Sequence, residues 1–454
     1  MHDVIAAVAT GGKVPCAIGI LRLSGEGCAR VADKVFSLDC GLSLTDAPNR
    51  KLLLGKLRDR QGRLIDQAMA VISRAPHSYT GEDTVELQCH GSPAVLAAGL
   101  EALFAAGARQ ALPGEFTKRA FLNGQLDLTQ AEAVVDLIDA ESADAAANAA
   151  GQLGGALLAR IDPVYQELTD LCSHFHAVLD YPDEDIEDFG IEELAETLRR
   201  ALAALEQMLS TFAQGRHLKH GVKAVLLGRP NAGKSSLLNA LAGFERVIVT
   251  EIAGTTRDTV EEPVRIGRVL LRLTDTAGIR EASDQIEALG VARSEAAARE
   301  AELAIFVCDA SEPLNEEDRR AMEAAKAAPR HLAVLNKSDL PPCVCESDLP
   351  FGTVISLSAK SGENLDALKQ TLEAWFADGA VCDGSILTNA RQFGAITRAA
   401  EAIRCAQSAL QGGMTPDAVL TDAEAAMQAL GEVTGRTVRE DITNRIFERF
   451  CVGK

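Results

Sequence analysis

Three observations predict a multidomain protein of the α/β and α classes. The pattern Gly228-Arg-Pro-Asn-Ala-Gly-Lys-Ser235 fits GxxxxGK[ST], follows an apolar run and opens into a helical pattern, which marks a phosphate-binding loop between strand and helix. Ala- and Leu-rich helical periodicity flanks it on both sides, over residues 121–217 and again from residue 390 onward. Through the first 118 residues, short strand-like runs alternate with helix-like ones and glycine-bearing turns. The expected order is an α+β N-terminal domain over 1–118, a helical domain begun over 119–220, a P-loop domain inserted over 221–378, and the rest of the helical domain over 379–454.

At 454 residues the chain is too long for one ordinary domain. Its net charge of −20 excludes a general polyanion binder, so a nucleic-acid partner must meet a local basic face or be presented by another protein. One Trp and three Tyr leave few rings to stack on bases. The eleven cysteines are scattered, with Cys343-Val-Cys345 the one close pair, which reads as reduced thiols rather than a disulfide framework or a zinc site. The first residues carry no basic, signal-like segment and no stretch approaches 18 apolar residues, so the chain is expected to be cytoplasmic with no membrane partner.

In the N-terminal domain, Cys16 to Leu23 and Val85 to Cys89 read as strands and Pro93 to Ala106 as a helix. Taken singly, Arg22, His77, Glu86 and His90 read as surface or turn residues. Helical patterns recur at 131–139 and 194–209; His174 and His176, two apart, would on a helix point to different faces and make no joint metal site. The helices before and after the P-loop domain are expected to pack together, which makes that domain an insertion.

In the phosphate loop, glycines let successive N–H groups turn inward, Lys234 brings a point charge to the outer phosphates, and Ser235 offers a hydroxyl to Mg²⁺. The run Val269 to Leu273 leads into Asp275-Thr-Ala-Gly278, placing a carboxylate beside the Mg²⁺ and a glycine N–H near the γ-phosphate. Between them, the threonines of Gly254-Thr-Thr-Arg-Asp258 reach the metal and γ-phosphate only when a third phosphate is present, the property of a switch. The buried run Leu303 to Asp309 precedes a second that ends in Asn336-Lys-Ser-Asp339. The Asp339 carboxylate only accepts, so it matches the N–H donors on guanine's edge and has no such pair on adenine. Ser358, Ala359 and Lys360 form the last loop, with the Ala359 backbone at the guanine carbonyl. Five motifs in this order predict a GTPase.

After Asp-Thr-Ala-Gly, Ras-like enzymes place a glutamine that orients the attacking water; Ile279 stands there and cannot hydrogen-bond. Glu281, Asp284 and Glu287, or a cation in place of an arginine finger, are the alternatives. Asn231 has an oxygen suited to a hard monovalent cation whose shell the Thr250 and Ile252 carbonyls could complete; spacing alone leaves it open between that role and a structural one.

These motifs, together with Gly19-Ile-Leu-Arg-Leu-Ser-Gly25, Tyr79-Thr-Gly-Glu-Asp83, Pro113-Gly-Glu-Phe116, Arg119-Ala-Phe-Leu-Asn123 and the terminal Phe450-Cys-Val-Gly-Lys454, resemble the bacterial MnmE (TrmE) family of tRNA-modification GTPases over essentially the whole chain. The resemblance implies an N-terminal domain similar to tetrahydrofolate-binding domains that also forms a homodimer, a helical domain, and an inserted Ras-like, TrmE-type G domain. It implies a flavoprotein partner of the MnmG (GidA) kind. With it, such proteins use a folate one-carbon unit to install an aminomethyl or carboxymethylaminomethyl group at C5 of the wobble uridine of tRNAs.

The family's GTP positions fall on Asn231, Ala232, Gly233, Lys234, Ser235 and Ser236 in the phosphate loop. In the switches they fall on Thr250, Glu251, Ile252, Ala253, Gly254, Thr255 and Thr256, then Asp275, Thr276, Ala277 and Gly278. In the base-reading loops they fall on Asn336, Lys337, Asp339, Ser358, Ala359 and Lys360. Its K⁺ ligands match Asn231, Thr250, Ile252 and Thr255, its Mg²⁺ ligands Ser235 and Thr256, and its catalytic residues Glu287, Asp275 and Cys451, Glu287 acting through a bridging water. Its folate positions match Arg22, Glu86 and Lys454, while Gln125 stands where a basic residue is usual and cannot pair ionically with a folate carboxylate. Val452 replaces the usual Ile with little loss of volume. A ribosome-assembly GTPase is the competing enzyme reading, opposed by the acidic charge and the lack of a KH-like RNA-binding domain; a folate-sensing scaffold with a structural nucleotide is the non-enzymatic one.

Overall fold

Seven strands near the N-terminus make one mixed sheet: β1 (Ile5–Val8), β2 (Cys16–Ser24), β3 (Phe36–Leu38), β4 (Leu53–Arg58), β5 (Leu64–Ser73), β6 (Thr84–Gly91) and β7 (Arg109–Gln110). Their order is β3-β4-β5-β6-β2-β1-β7, antiparallel throughout except for the β1–β7 edge pair. The computed structural model describes residues 3–10, 14–180, 191–243, 261–275, 296–376, 382–414, 416–437, 446–447, 450–451 and 453.

Alternation along β2 sends Leu21 and Leu23 into a core under helix Pro93–Ala106, and Arg22 to the opposite face. Two glycines let that helix approach: a Cβ on Gly19 would meet Leu96 at 2.6 Å, and one on Gly99 would meet Leu21 at 2.6 Å. Pro93 starts the helix behind Ser92, and Gly107, at φ 117°, ends it.

The described chain divides into two compact units. The first holds Met1–Val135, Gln152–Ala203 and Ala395–Lys454; the second holds Asp136–Gly151 and Ala204–Gly394. Within the first, helix Ala156–Asp180 packs on helix Pro416–Thr434, as the interrupted periodicity predicts. His176 Nε2 meets Glu424 Oε1 at 2.8 Å, and Arg436 reaches Asp162 at 2.6 Å while its guanidinium covers the Tyr165 ring at 4.7 Å. Helices formed by residues on either side of the insertion thus share one core. Among the described residues no helix is long and apolar enough to cross a membrane.

The second unit is built on β8 (Val222–Leu227), β9 (Glu261–Ile266), β10 (Val269–Asp275), β11 (Leu303–Asp309), β12 (Arg330–Asn336) and β13 (Val354–Ser356), in the order β13-β12-β11-β8-β10-β9. Every pairing is parallel except β9–β10. Alternate residues of β8 and β11 feed two separate cores, Leu226, Ile305 and Val307 on one face and Val225, Leu227 and Phe306 on the other. That is why Leu303–Asp309 reads as a continuous apolar run and is buried along its length.

Residues 383–388 attach to this unit through Asn148, whose side chain donates to the Ile386 carbonyl at 3.2 Å and accepts from Gly384 N–H at 3.2 Å. Helix Phe212–His220 passes the same segment so closely that a Cβ on Gly215 would stand 1.8 Å from the Leu387 carbonyl oxygen. Gly215→Ala must push backbone against backbone and should cost about 1–3 kcal/mol. Denaturant unfolding checks this; an unchanged midpoint would show that the segment yields freely.

Candidate nucleotide site and N-terminal pocket

The described loops that carry nucleotide motifs, after β8, β12 and β13, leave the carboxyl edge of the second sheet, where strand order reverses around β8, the usual place for a ligand in an open parallel sheet. The phosphate loop joins β8 to helix Lys234–Ala242, so the free N–H groups of the helix's first turn face that edge. Asn231 sits at φ 60° and Gly233 at φ 97°. Asparagine tolerates the left-handed region, whereas at Gly233 a Cβ would fall 2.0 Å from Asn336 Nδ2. The Lys234 ammonium, buried, donates to the carbonyls of Gly228 and Arg229 at 2.8 Å each. Ser235 and Ser236 follow on the exposed side of the first turn.

Asp275 ends β10 in register with Leu226 of β8, which puts the start of the Asp-Thr-Ala-Gly motif beside the phosphate loop. Thr250, Glu251, Ile252, Ala253, Gly254, Thr255, Thr256, Thr276, Ala277, Gly278, Ile279 and Glu287 lie outside the described residues, as does Lys454.

Asn336 closes β12 and binds both neighbouring loops. Its Nδ2 donates to the Ala232 carbonyl at 2.9 Å, and its Oδ1 accepts from the Ala359 N–H at 3.0 Å. Ser358 Oγ donates to Asp339 Oδ1 at 2.7 Å, which orients a carboxylate whose other oxygen remains for a ligand. Lys360 is exposed beyond them. Lys337, left-handed at φ 67°, turns back to Asp309 Oδ2 at 2.5 Å. Burial would raise the Asp309 carboxyl, but Lys337 and the Ser311 hydroxyl and N–H outweigh it and hold it below the usual carboxylate range. Arg229 is ringed by Glu312 at 2.6 Å and by Asp309 and Asp318 at 3.8 Å each. Sequence reasoning passes over Arg229 and Asp309, because their partners come together only where strand ends meet.

In the first unit, Arg22 and Glu86 are cross-strand partners on the sheet face opposite the helix core and pair at 2.8 Å. The Arg22 guanidinium stands 5.6 Å from the Tyr79 ring centre and 5.8 Å from that of Phe116, and donates to the Gly453 carbonyl at 3.5 Å. Gly453, at φ 106°, has room for no side chain, since a Cβ would meet the Val8 carbonyl at 2.3 Å. The carbonyl of Cys451, itself exposed, accepts from the Gly114 N–H at 3.3 Å. Gln125 lies against Gly81, whose Cβ would be 3.2 Å from Gln125 Cγ. Arg22 of β2 and Gly453 near the C-terminus therefore meet, and Arg22 is not an isolated surface residue. Tyr79 and Phe116 belong to its surroundings, although no spacing rule singles them out.

The matching family models are the GTP-binding protein TrmE N-terminus, over residues 4–125, and the MnmE helical domain, over residues 128–451. The chain belongs to the MnmE family. The tRNA modification GTPase MnmE of Symbiobacterium thermophilum is 43 % identical over 457 residues, covering all of both chains. That of Roseiflexus sp. is 40 % identical over 477 residues, covering all of this chain and 99 % of its own. The MnmE helical match spans the P-loop domain as well, in keeping with a helical domain interrupted by an insertion.

Below the Tyr79 turn of this MnmE-family chain lies an ion cluster built around the buried Arg119 and Glu115. Arg119 bonds Glu82 at 2.9 Å, Asp3 at 2.8 Å and Glu115 at 3.1 Å, and Arg109 bonds Glu115 at 2.5 Å. Burial pulls the Glu115 carboxyl up, but Arg109, the Leu112 N–H and Arg119 more than offset it and hold it below the usual range. A carboxylate depressed in the folded state contributes stability above its unfolded pKa of about 4.3, lost as pH falls through the lower folded value. Glu115→Gln should lower the urea midpoint at pH 7 and make its fall on acidification shallower. A slope equal to the parent's would assign the acid sensitivity to other groups.

Proposed function

We propose that this chain is a potassium-dependent GTP hydrolase that helps install an aminomethyl or carboxymethylaminomethyl group at C5 of the tRNA wobble uridine. The observation that carries the reading is full-length membership of the MnmE family together with one edge that gathers the phosphate loop, the Asp275 strand end, and the Asn336–Asp339 and Ser358–Lys360 loops. The proposed domain bounds are 1–118, 119–220, 221–378 and 379–454. The protein would act in the cytoplasm as a homodimer, with a flavoprotein partner of the MnmG kind.

GTP would bind with its phosphates at the N–H groups of residues 231–236 and its base between Asp339 and the Ala359 N–H. Ser235 and Thr256 would hold Mg²⁺, while Asn231, Thr250, Ile252 and Thr255 would hold K⁺; hydroxyl, amide and carbonyl oxygens are the donors such hard cations require. Bound cations would neutralise charge developing on the phosphates. Glu287 would position the attacking water that Ile279 cannot. In the N-terminal pocket, a guanidinium and a carboxylate beside the Tyr79 and Phe116 rings suit a planar, hydrogen-bonding heterocycle, which supports the folate reading for Arg22, Glu86, Gln125 and Lys454. Cys451, on the same terminal strap as Gly453, would serve the transfer step.

The function is tested by mass analysis of tRNA nucleosides from cells lacking this protein. Loss of the C5 wobble-uridine modification is expected, and an unchanged profile would sink the reading. Exchange of potassium for sodium should slow GTP turnover at least about tenfold, since the cation stands in for an arginine finger; equal rates would remove K⁺ from the mechanism.

A further inference from the structure

Asp309 closes β11 and is only 2 % exposed. Oδ1 accepts from the Ser311 N–H at 3.0 Å and from Ser311 Oγ at 2.6 Å, which fixes the carboxylate plane. Oδ2 takes the Lys337 ammonium at 2.5 Å, and Arg229 Nη2 stands 3.8 Å from the same oxygen. One cation comes from the loop that reads the base, the other from the loop that holds the phosphates.

The backbone around this residue has the same arrangement. Gly228 passes β11 so tightly that a Cβ would fall 2.2 Å from the Val307 carbonyl oxygen, and the Ala310 N–H donates to the Asn336 carbonyl at 2.9 Å. The end of β11 is therefore where both loops take their position. Lys337 holds a left-handed backbone that a lysine keeps only when its surroundings impose it. Arg229, meanwhile, is enclosed by carboxylates and cannot swing toward a phosphate.

We infer that Asp309 is a positioning residue for guanine-nucleotide binding, a charged anchor that holds the phosphate loop through Arg229 and the base loop through Lys337 at one spacing. The need for such an anchor follows from Lys234, whose ammonium rests on the Gly228 and Arg229 carbonyls. When it leaves them for a phosphate oxygen, the Gly228 carbonyl loses this donor and the Arg229 carbonyl keeps the Ala232 N–H at 3.4 Å, and a loop not held from behind would follow the lysine. The anchor acts on binding rather than on the hydrolytic step, because Asp309, Arg229 and Lys337 are committed to one another and to Ser311, Glu312 and Asp318. The inference rests on the GTPase reading.

The test uses the full chain and fluorescent GDP and GTP. The parent protein must bind both; if it binds neither, the GTPase reading fails first. Asp309→Asn is expected to weaken both nucleotides roughly tenfold or more, the loss typical of a charge-assisted hydrogen bond. kcat in potassium at saturating GTP should stay within about twofold, a change in KM without kcat. The effects of Asp309→Ala and Lys337→Ala should not add in the double variant, because each removes the same pair. Unchanged affinity, a fall in kcat alone, or additive effects would each overturn the inference. Should thermal melts show that the Asp309 variants do not fold, Arg229→Gln and Ser311→Ala remove its partners one at a time. Both must weaken GDP and GTP binding, and unchanged affinity in either overturns the inference.

Discussion

The side chain of Asn336, buried at the end of β12, satisfies the Ala232 carbonyl of the phosphate loop and the Ala359 N–H of the last loop at once. An amide donates from its nitrogen and accepts at its oxygen along two diverging directions. Held in this way, three loops from separate strands become a single recognition surface. Gly233 is part of the same constraint, because any side chain there would occupy the space of the Asn336 amide. Asp309 repeats the arrangement one strand over with charge in place of a neutral amide. The two buried polar residues at adjacent strand ends, in register as partners of β11 and β12, keep the edge rigid.

The first unit solves a different problem. Its candidate pocket needs residues from β2, β6, the Tyr79 turn and the last residues of the chain, and no contiguous segment supplies them. Antiparallel register brings Arg22 opposite Glu86, and glycines at 114 and 453 let the terminal strap lie directly on backbone. Phe447 and Phe450 secure that strap against Ala131 and Phe121. The Arg119 cluster beneath the Tyr79 turn is costly to bury and is retained by three carboxylates around one guanidinium, which makes that turn a fixed wall.

Much of this was legible in the chain. Helix Pro93–Ala106 was readable to the residue because Pro93 and Gly107 act on backbone geometry alone. Strand Leu303–Asp309 was readable because two cores on opposite faces demand an unbroken apolar run. Asp339 was singled out by its acceptor-only chemistry, and the structure sets it beside Ser358. Arg22 and Glu86 were not readable from their own surroundings, and only the family resemblance singled them out, since a charged residue on a strand looks the same whether its face meets water or another part of the chain. Asp309 looked like the last residue of a strand, because its partners, Arg229 and Lys337, are distant in sequence and come near it only through parallel pairing.

Sequence by itself determined what depends on local covalent chemistry and periodicity: the classes of the domains, the insertion, the phosphate loop, the acceptor-only carboxylate of Asp339 and the isoleucine at 279 where Ras-like enzymes place a glutamine. Tertiary structure alone decided which charges meet. It turned Arg22 and Glu86 into a pair beside the chain's end, buried Arg119 among carboxylates, and set Asp309 between two loops. The division has a physical reason: torsional preference and hydrogen-bonding valence belong to a residue, whereas desolvation and Coulomb energy belong to whatever the fold places within a few ångströms of it.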